Sequence, residues 1–299
     1  MTSLYTGMGN TGMGNTGMGN TGTMGNTGMG NALGNTPAGK ESGHVAIVGG
    51  TGFETLPPDI FAEPMEISTR YGTAHVLSVS NNYVEPYKLY FLSRHGMSHG
   101  LAPHQINYRA NTAALVQLGV KYIYATNAVG SLRRDLPPES LVLMDDFIDF
   151  THSRPLSYFQ DGETWQHVDF SIPYSDSLRN TVIESAEQMN IPLAKQGTYL
   201  CCDGPRFESP AEVRLFARWE ADIVGMTGLP EVVFAREAGM EYAALGIVTN
   251  YGAGLTKEPV DHLAVTQRMQ KLIPMVQEML LEASGRLIEG LVRTEQNKK

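Results

Sequence analysis

Short apolar runs that end in small or polar residues recur along this chain from position 44 onward, and they constrain its fold most. The clearest of these runs span residues 44–48, 74–80, 87–93, 121–126, 197–202 and 241–248. Amphipathic helical patterns fall between or after them, at residues 103–118, 176–189, 231–238 and 260–291. Buried strands that alternate with helices predict an α/β fold. In such folds ligands bind where strands end, so the residues that follow each run are the candidates for a site.

The first 42 residues do not share this pattern. Residues 1–39 carry no charged side chain and consist largely of the repeat TGMGN, which begins at Thr6. Glycine is too frequent there for a helix or a strand, and too little apolar surface is available to offset the entropy of ordering the chain. We therefore expect a disordered tail at residues 1–42 and a single domain at residues 43–299. An adhesive or methionine-based metal-binding role for the tail is the alternative.

Charge and metal-ligand spacing exclude several classes of function. The chain has a formal net charge of −9 and its 22 lysine and arginine residues are dispersed, which argues against nucleic-acid binding. No apolar run is long enough to cross a membrane. The two cysteines, Cys201 and Cys202, are adjacent, which predicts a reducing compartment, and we expect a cytoplasmic protein. The histidines show no metal-binding spacing, and Asp145, Asp146 and Asp149 are interpreted as solvated acids rather than metal ligands, so no metal and no cofactor is expected.

A glycine-rich turn follows the first strand, at residues 49–52. Glycines allow backbone N–H groups to face an anion, and the hydroxyl of Thr51 adds a donor. A dinucleotide-binding fingerprint would need a glycine in place of Thr55, and the lysine of a P-loop is missing as well. A small anion such as phosphate is therefore the better ligand, although a strand that ends in glycine is a weak signal by itself.

Two later strand ends carry further groups that can bind an anion. Arg94 and His95 follow one strand, and a guanidinium beside an imidazole suits a tetrahedral oxyanion. The next strand ends in Asn127 and Ala128, where a turn of small residues would let main-chain amides approach a ligand. The plainer interpretation of Arg94 and His95 is a solvated strand end.

The strand at residues 197–202 is followed by an aromatic ring beside a carboxylate. Phe207 and Glu208 come just before a helix for which Ser209 is the predicted N-cap and Pro210 the first residue. A ring and an acceptor-only carboxylate suit a planar heterocycle with N–H donors, because one face can stack while the edge is hydrogen-bonded. The alternative is a loop phenylalanine packed on the core and a solvated glutamate.

Two more strand ends complete the set. Met226 can pack on a sugar face and Thr227 can bind an anion, with core filling as the alternative for Met226. Asn250 follows the last strand, and its amide has both a donor and an acceptor, so it can bind a purine edge at two positions. Strand ends of this kind, repeated in order along the chain, indicate one shared site.

Five stretches resemble the trimeric nucleoside phosphorylase family, which contains purine nucleoside phosphorylase and methylthioadenosine phosphorylase. They span residues 48–52, 93–96, 127–132, 204–208 and 225–227. The resemblance implies an α/β fold with a twisted mixed central sheet flanked by helices, and a homotrimer. It also implies an enzyme of purine salvage, a glycosyltransferase for which inorganic phosphate is the co-substrate.

The resemblance implies a role for each strand-end residue. A phosphate site is implied for Thr51, Arg94, His95, Asn127, Ala128 and Thr227. A nucleoside site is implied for Phe207, Glu208, Met226, Asn250, Gly252 and His262. Phosphate itself attacks the anomeric carbon as the bond to the purine breaks, so no side-chain nucleophile is needed. As catalytic residues, Arg94 and His95 are expected to hold the phosphate, and Asn250 to stabilise the departing base.

Glu208 and Asn250 decide which base fits. The methylthioadenosine enzymes have an aspartate in place of Asn250 and a serine in place of Glu208. A 6-oxopurine has a protonated N1, from which Glu208 can accept, and an O6 to which Asn250 can donate while it also bonds N7. Adenine would set its N1 acceptor against a carboxylate, and a buried mismatch of that kind costs about 1–3 kcal/mol. The sequence therefore predicts inosine and guanosine as substrates.

His262 bears on the 5′ end of the sugar. It lies in a segment that resembles the one in which purine nucleoside phosphorylases place a histidine on the ribose 5′-hydroxyl. If His262 is only a surface residue, S-methyl-5′-thioinosine or S-methyl-5′-thioadenosine is the alternative substrate. A non-catalytic nucleoside-binding protein and a hydrolase are further alternatives. The complete set of phosphate residues argues against the first, and the absence of a carboxylate among them argues against the second.

Overall fold

A ten-stranded mixed sheet organises the described part of the chain. The computed structural model describes residues 43–51, 53, 56–80, 86–96, 100–160 and 162–297. The strands are β1 (His44–Gly49), β2 (Phe61–Thr69), β3 (Gly72–Ser80), β4 (Leu89–Ser93), β5 (Val120–Ser131), β6 (Leu141–Leu143), β7 (Asp146–Phe150), β8 (Thr198–Cys202), β9 (Ile223–Gly225) and β10 (Glu241–Tyr251). The helices are α1 (Tyr108–Gln117), α2 (Asp176–Gln188), α3 (Pro210–Arg218), α4 (Glu231–Glu237) and α5 (His262–Gln296). The predicted tail at residues 1–42 lies outside the described residues, as do Gly52 and Thr55.

The sheet combines parallel and antiparallel neighbouring strands. The sheet runs β2-β3-β4-β1-β5-β9-β8-β7, and β10 pairs with β5 and β6. β1 is parallel to β4 and β5, β5 is parallel to β10, and β8 is parallel to β7 and β9. The pairs β2–β3, β3–β4, β6–β10 and β5–β9 are antiparallel. The predicted α/β class with a mixed central sheet and flanking helices is confirmed.

The core lies on both faces of the sheet, because alternate residues of a strand point to opposite sides. On β1, Val45 and Ile47 pack on the face covered by α2 and α5, whereas Ala46 and Val48 pack on the face covered by α1 and α4. All four side chains are at most 3% exposed. A strand buried on both faces reads as a continuous apolar run, which is why β1 was recognisable from the sequence.

Several boundaries differ from the sequence prediction. β2 was not predicted, because it is an edge strand that contains Pro64 and several exposed polar residues. The helix predicted at residues 103–118 begins as a 3-10 turn, and α1 starts only after Asn107, whose side chain accepts from the Ala110 N–H at 3.0 Å. The small-residue turn predicted at residues 127–132 is wrong, because β5 continues to Ser131 along β10. Within the described residues, no helix combines the length and apolar composition that a membrane span requires.

Candidate active site

A cavity of about 390 Å³ is lined by residues from several strand ends and from the start of α5. Its volume falls within the range of small-molecule sites, about 300–1,000 Å³. The predicted site residues that line it are Thr51, His95, Ala128, Phe207, Glu208, Met226, Thr227, Asn250 and His262. Three predicted residues, Arg94, Asn127 and Gly252, are outside its lining. A separate groove of about 620 Å³ beside α5 contains none of the predicted residues.

The turns after β1 and β4 leave the sheet side by side. Gly49 at the end of β1 is the register partner of Ser93 at the end of β4. Thr51 and His95, two residues further along each chain segment, both line the cavity. The Nδ1 of His95 lies 2.8 Å from the carbonyl oxygen of Leu101, and because a carbonyl only accepts, Nδ1 carries a proton. The parallel register therefore brings the two predicted anion-binding turns together.

Arg94 is buried behind the cavity in an ion pair. Its Nε and Nη2 donate to the two carboxylate oxygens of Glu231, each at 2.6 Å, and its Nη1 donates to the carbonyl oxygen of Thr126 at 2.9 Å. Burial favours loss of its proton, but the Glu231 carboxylate outweighs this and raises the pKa of Arg94. A Cβ added to Gly50 would come within 2.9 Å of Nη1, so the guanidinium lies directly against the glycine turn.

Asn127, within β5, forms a hydrogen bond with Thr227. Asn127 is 1% exposed, and its Nδ2 donates to the hydroxyl oxygen of Thr227 at 2.9 Å. With that oxygen accepting, the hydroxyl hydrogen of Thr227 is directed elsewhere and can donate to an anion. The hydroxyl oxygen of Tyr199 accepts from the backbone N–H of Thr227 at 3.3 Å and of Gly228 at 3.2 Å. These bonds hold the segment after β9 in place beside the cavity.

The predicted N-cap of α3 is confirmed. The Ser209 hydroxyl accepts from the Glu212 N–H at 3.3 Å, and the Glu212 carboxylate accepts from the Ser209 N–H at 2.8 Å. Arg206 donates to both carboxylate oxygens of Glu212, at 2.8 and 2.7 Å. Arg206, the arginine nearest to Glu208 along the chain, is thus paired with Glu212 and makes no ion pair with Glu208.

Glu208 is a buried carboxylate on the wall of the cavity. It is 9% exposed, and its Oε1 is buried without a hydrogen-bond partner among the described residues. Burial raises the pKa of the Glu208 carboxyl above its ordinary value of 4.5, and the negative charge of Glu212 raises it further. Burying an acceptor without a donor is costly, so such a group favours a ligand that brings an N–H or O–H to it.

The pairing of β10 with β5 shifts by one residue just before Asn250. Val248 pairs with Val129, but Asn250 already pairs with Gly130, so one extra residue lies in β10 between them. Shifts of this kind redirect a side chain. The Asn250 Oδ1 accepts from the Thr249 hydroxyl at 2.9 Å, and its Nδ2 donates to the carbonyl oxygen of Tyr251 at 3.0 Å. Each amide atom keeps a second hydrogen-bonding position for a ligand.

The remaining predicted residues complete the outline of the site. Met226 lies against Gly204, where an added Cβ would come within 2.5 Å of its sulfur, so only glycine fits at that position, whose φ is +68°. His262 is the exposed first residue of α5, and Val265, one turn later on the same helix, is buried and also lines the cavity. Gly252 is buried, and its N–H donates to the carbonyl oxygen of Ser131 at 2.8 Å.

The aspartates considered as metal ligands bind backbone groups. Asp145, Asp146 and Asp149 each accept from a backbone N–H, at 2.9, 2.7 and 2.9 Å. Among the residues that the structure describes, no cluster of three or more His, Cys, Asp or Glu side chains is arranged to hold a metal ion.

Sequence reasoning missed Glu231 and Tyr199. Glu231 was placed at the start of a helix and Tyr199 in a strand, which are their observed elements, but the role of neither was recognised. Their partners lie far away along the chain, since Arg94 precedes Glu231 by 137 residues. The sequence shows Glu231 as a charged residue next to a proline, and this does not identify a partner.

Comparison with known proteins decides the family. A family model described as the phosphorylase superfamily matches residues 44–284. The chain belongs to the phosphorylase superfamily. A probable 6-oxopurine nucleoside phosphorylase of Dictyoglomus turgidum is 42% identical to this phosphorylase over 239 residues, which are 79% of this chain and 88% of the relative. The 6-oxopurine nucleoside phosphorylase of Pyrococcus furiosus is 41% identical over 246 residues, 80% of this chain and 91% of the relative.

A solved structure shares the fold of this phosphorylase. Methylthioadenosine phosphorylase from Schistosoma mansoni in complex with adenine superimposes with a TM-score of 0.76 and 31% sequence identity. The match covers 86% of this phosphorylase and 96% of the solved chain. The resemblance inferred from the five sequence stretches is therefore confirmed, together with the fold it implied.

Proposed function

We propose that this phosphorylase cleaves 6-oxopurine nucleosides, inosine and guanosine, with inorganic phosphate to give the free base and ribose 1-phosphate. The names of the two relatives at 42% and 41% identity support this substrate class. The proposed activity is that of a purine nucleoside phosphorylase in purine salvage.

The buried Glu208 carboxylate is the observation that carries the proposal. Its Oε1 lacks a donor partner in the described structure, and it lines the same cavity as Phe207 and Asn250. A 6-oxopurine brings an N1–H to this acceptor, and guanine brings a 2-amino group as well. Adenine brings an acceptor at N1 instead, and the mismatch of two acceptors costs about 1–3 kcal/mol.

The phosphate would lie beside the ends of β1, β4 and β9 and the second half of β5. Thr51, His95, Ala128 and Thr227 line this part of the cavity, and the Asn127 contact directs the Thr227 hydroxyl hydrogen toward it. Arg94 supports the glycine turn from behind in its observed ion pair with Glu231. A phosphate oxygen attacks the anomeric carbon while the bond to the purine breaks. The dianion beneath the sugar also stabilises the positive charge that develops there.

Asn250 would stabilise the leaving base. As the bond to the sugar breaks, electrons move into the purine ring, and N7 and O6 become stronger acceptors. One hydrogen of the Asn250 Nδ2 is held by the Tyr251 carbonyl oxygen, and the other can be donated to one of these two atoms. A donor positioned before the reaction stabilises the transition state more than the substrate.

S-methyl-5′-thioinosine is the second candidate substrate. His262 would bond a ribose 5′-hydroxyl, but Val265 lines the cavity one helical turn away and would suit a methylthio group. Both candidates use the same 6-oxopurine pocket.

We also propose that the protein is a homotrimer without metal or other cofactor, which the family resemblance supports. We propose that it is cytoplasmic, which the adjacent cysteines support.

Release of free base from inosine, guanosine, S-methyl-5′-thioinosine and S-methyl-5′-thioadenosine, with and without phosphate, tests the proposal. We expect fast cleavage of inosine and guanosine that depends on phosphate. Preference for S-methyl-5′-thioinosine would uphold the base pocket and overturn the role of His262. Preference for S-methyl-5′-thioadenosine would overturn the roles of Glu208 and Asn250, and cleavage without phosphate would indicate a hydrolase.

A further inference from the structure

Arg154 is a buried arginine in the irregular segment that follows β7. Its side chain is 4% exposed although it lies outside any helix or strand. A charged group at such a position needs partners from the protein to offset the hydration that it loses on burial. The partners of Arg154 therefore show what this residue does.

Most of these partners are backbone carbonyl groups of two loops at the cavity. The Nη2 of Arg154 donates to the carbonyl oxygens of Cys202 at 3.3 Å and Asp203 at 3.0 Å, where the chain leaves β8 toward Phe207 and Glu208. Nη2 also donates to the carbonyl oxygen of Met226 in the loop after β9. The Nη1 group donates to the carbonyl oxygen of Leu229 in that same loop. One guanidinium thus joins two loops that have no chain connection except through α3 and β9.

The head group of Arg154 is held in a fixed orientation. The guanidinium carbon, Cζ, lies 5.5 Å from the centre of the Tyr108 ring, and Nη1 donates to the Tyr108 hydroxyl at 3.2 Å. Its Nε lies 3.5 Å from the Oδ1 of Asp203, while the Oδ2 of Asp203 accepts from the backbone N–H of His152 at 2.9 Å. The Nε and the Asp203 Oδ1 make no hydrogen bond, so the hydrogen bonds of the guanidinium come from its two Nη groups. A planar group whose Nη groups are held by carbonyl oxygens and whose face is covered by a ring can set the distance between two loops.

We propose that Arg154 is a positioning residue that fixes the spacing between the purine loop, residues 203–208, and the sugar-phosphate loop, residues 226–230. The inference rests on the proposed function, in which the base binds the first loop and the sugar and phosphate bind the second. Reaction requires both parts of the nucleoside to be held in one geometry, whereas binding of either part alone requires only its own loop. A loss of spacing therefore lowers the rate of the reaction more than the affinity for either half.

The test compares Arg154→Met with wild type in the full-length protein. We expect kcat for inosine to fall about 100-fold, because misplacement by about 1 Å has an effect of that size, while the Kd of hypoxanthine alone and of phosphate alone change by less than about threefold. Arg154→Lys keeps the charge without the planar fork, and we expect an intermediate kcat with the same unchanged affinities. Equal losses in kcat and in the two Kd values would overturn the proposal.

Arg109→Met is the matched control. Arg109 also donates to a backbone carbonyl of the segment after β7, since its Nε and Nη2 lie 3.1 and 2.8 Å from the Ser157 oxygen, but its described hydrogen bonds reach neither loop. We expect its kcat to stay within about threefold of wild type. A loss of kcat as large as that of Arg154→Met would show that ordering of the segment, rather than loop spacing, is responsible, and would overturn the proposal.

Asp203→Asn keeps the test decisive if Arg154→Met does not fold. It removes the charge that faces Nε and leaves the carbonyl contacts, so we expect a smaller drop in kcat with unchanged Kd values for hypoxanthine and phosphate. An unchanged kcat in both Asp203→Asn and Arg154→Lys would overturn the proposal. If wild type does not cleave inosine, the proposed substrate is wrong, and the same comparison is made with the nucleoside that it does cleave and the corresponding free base.

Discussion

The guanidinium of Arg94 forms a bidentate ion pair with the carboxylate of Glu231, with both N–O distances at 2.6 Å and neither side chain more than 8% exposed. The Tyr242 hydroxyl donates to the same carboxylate at 2.7 Å. The positive charge nearest the glycine turn is therefore already compensated within the protein. A phosphate dianion would meet hydroxyl, imidazole and backbone donors at the cavity wall, with this pair behind them.

Removal of Arg94 alone should be far more damaging than removal of the pair. We expect Arg94→Met to lower the free energy of unfolding by about 3–5 kcal/mol, because Glu231 becomes a buried charge without its partner. The double variant Arg94→Met/Glu231→Met should recover much of that loss. Urea denaturation measures both values. Equal stability of the single and double variants would contradict a charge-based interaction.

Asn127→Leu should weaken phosphate binding without changing nucleoside binding. Leucine has a similar shape but cannot donate to the Thr227 hydroxyl oxygen, so the hydroxyl is no longer directed toward the anion. We expect the KM for phosphate to rise about tenfold, which corresponds to about 1.4 kcal/mol. Asn111→Leu in α1, outside the cavity lining, is the matched control and should leave this KM unchanged. A parallel rise in the KM for inosine would count against this assignment.

Asn250→Asp should change the preferred base. A carboxylate at this position cannot donate to O6 of a 6-oxopurine but can accept from the amino group of adenine. We expect inosine turnover to fall and turnover of adenosine-type nucleosides to rise, and the double variant Glu208→Ser/Asn250→Asp to extend the change. The ratio of the kcat/KM values for inosine and S-methyl-5′-thioadenosine measures it. An unchanged ratio would contradict the role of Asn250.

The raised pKa of Glu208 predicts that the free energy of unfolding of the ligand-free protein depends on pH. Burial makes the folded state bind the proton more tightly than the unfolded state, so the stability contributed by Glu208 is present below its ordinary pKa of 4.5 and is lost as pH rises through the raised value. Glu208→Gln does not titrate. We therefore expect the stability of this variant relative to wild type to increase from about pH 4 to about pH 8 in urea unfolding. Parallel pH profiles would show that the carboxylate is not desolvated.

His262→Leu should separate the two candidate sugars. If His262 bonds the 5′-hydroxyl, its replacement removes that bond and extends the apolar surface of Val265. We expect kcat/KM for inosine to fall about tenfold, in line with the loss of one hydrogen bond, while that for S-methyl-5′-thioinosine is unchanged or rises. Equal effects on both nucleosides would place His262 away from the 5′ position.

The sequence predicted the strand ends well because their signals are local. A run such as residues 44–48, buried on both faces, stops at glycine, and the parallel register of β1 with β4 brings the ends of these two strands together. The N-cap at Ser209 was predictable for the same reason, since Glu212 lies within the same turn. Nine of the twelve predicted site residues line the cavity, and all of these except His262 were identified from strand ends.

The sequence did not reveal groups whose partners are distant along the chain. The pairing of Arg94 with Glu231 and the contacts of Arg154 depend on how loops approach one another after folding. The extra residue of β10, Thr249, is visible only in the register with β5. None of these features has a local pattern, because each is determined by packing between separate elements.

The separation of the cavity residues among different strand ends has an evolutionary consequence. Glu208 follows β8, and Asn250 lies at the end of β10. The residues proposed to bind phosphate follow other strands: Thr51 follows β1, His95 follows β4 and Thr227 follows β9. Under the proposed function, substitutions at Glu208 and Asn250 can change the preferred purine base while the residues that bind phosphate stay the same. Relatives with different base preferences can therefore share one phosphate-dependent reaction.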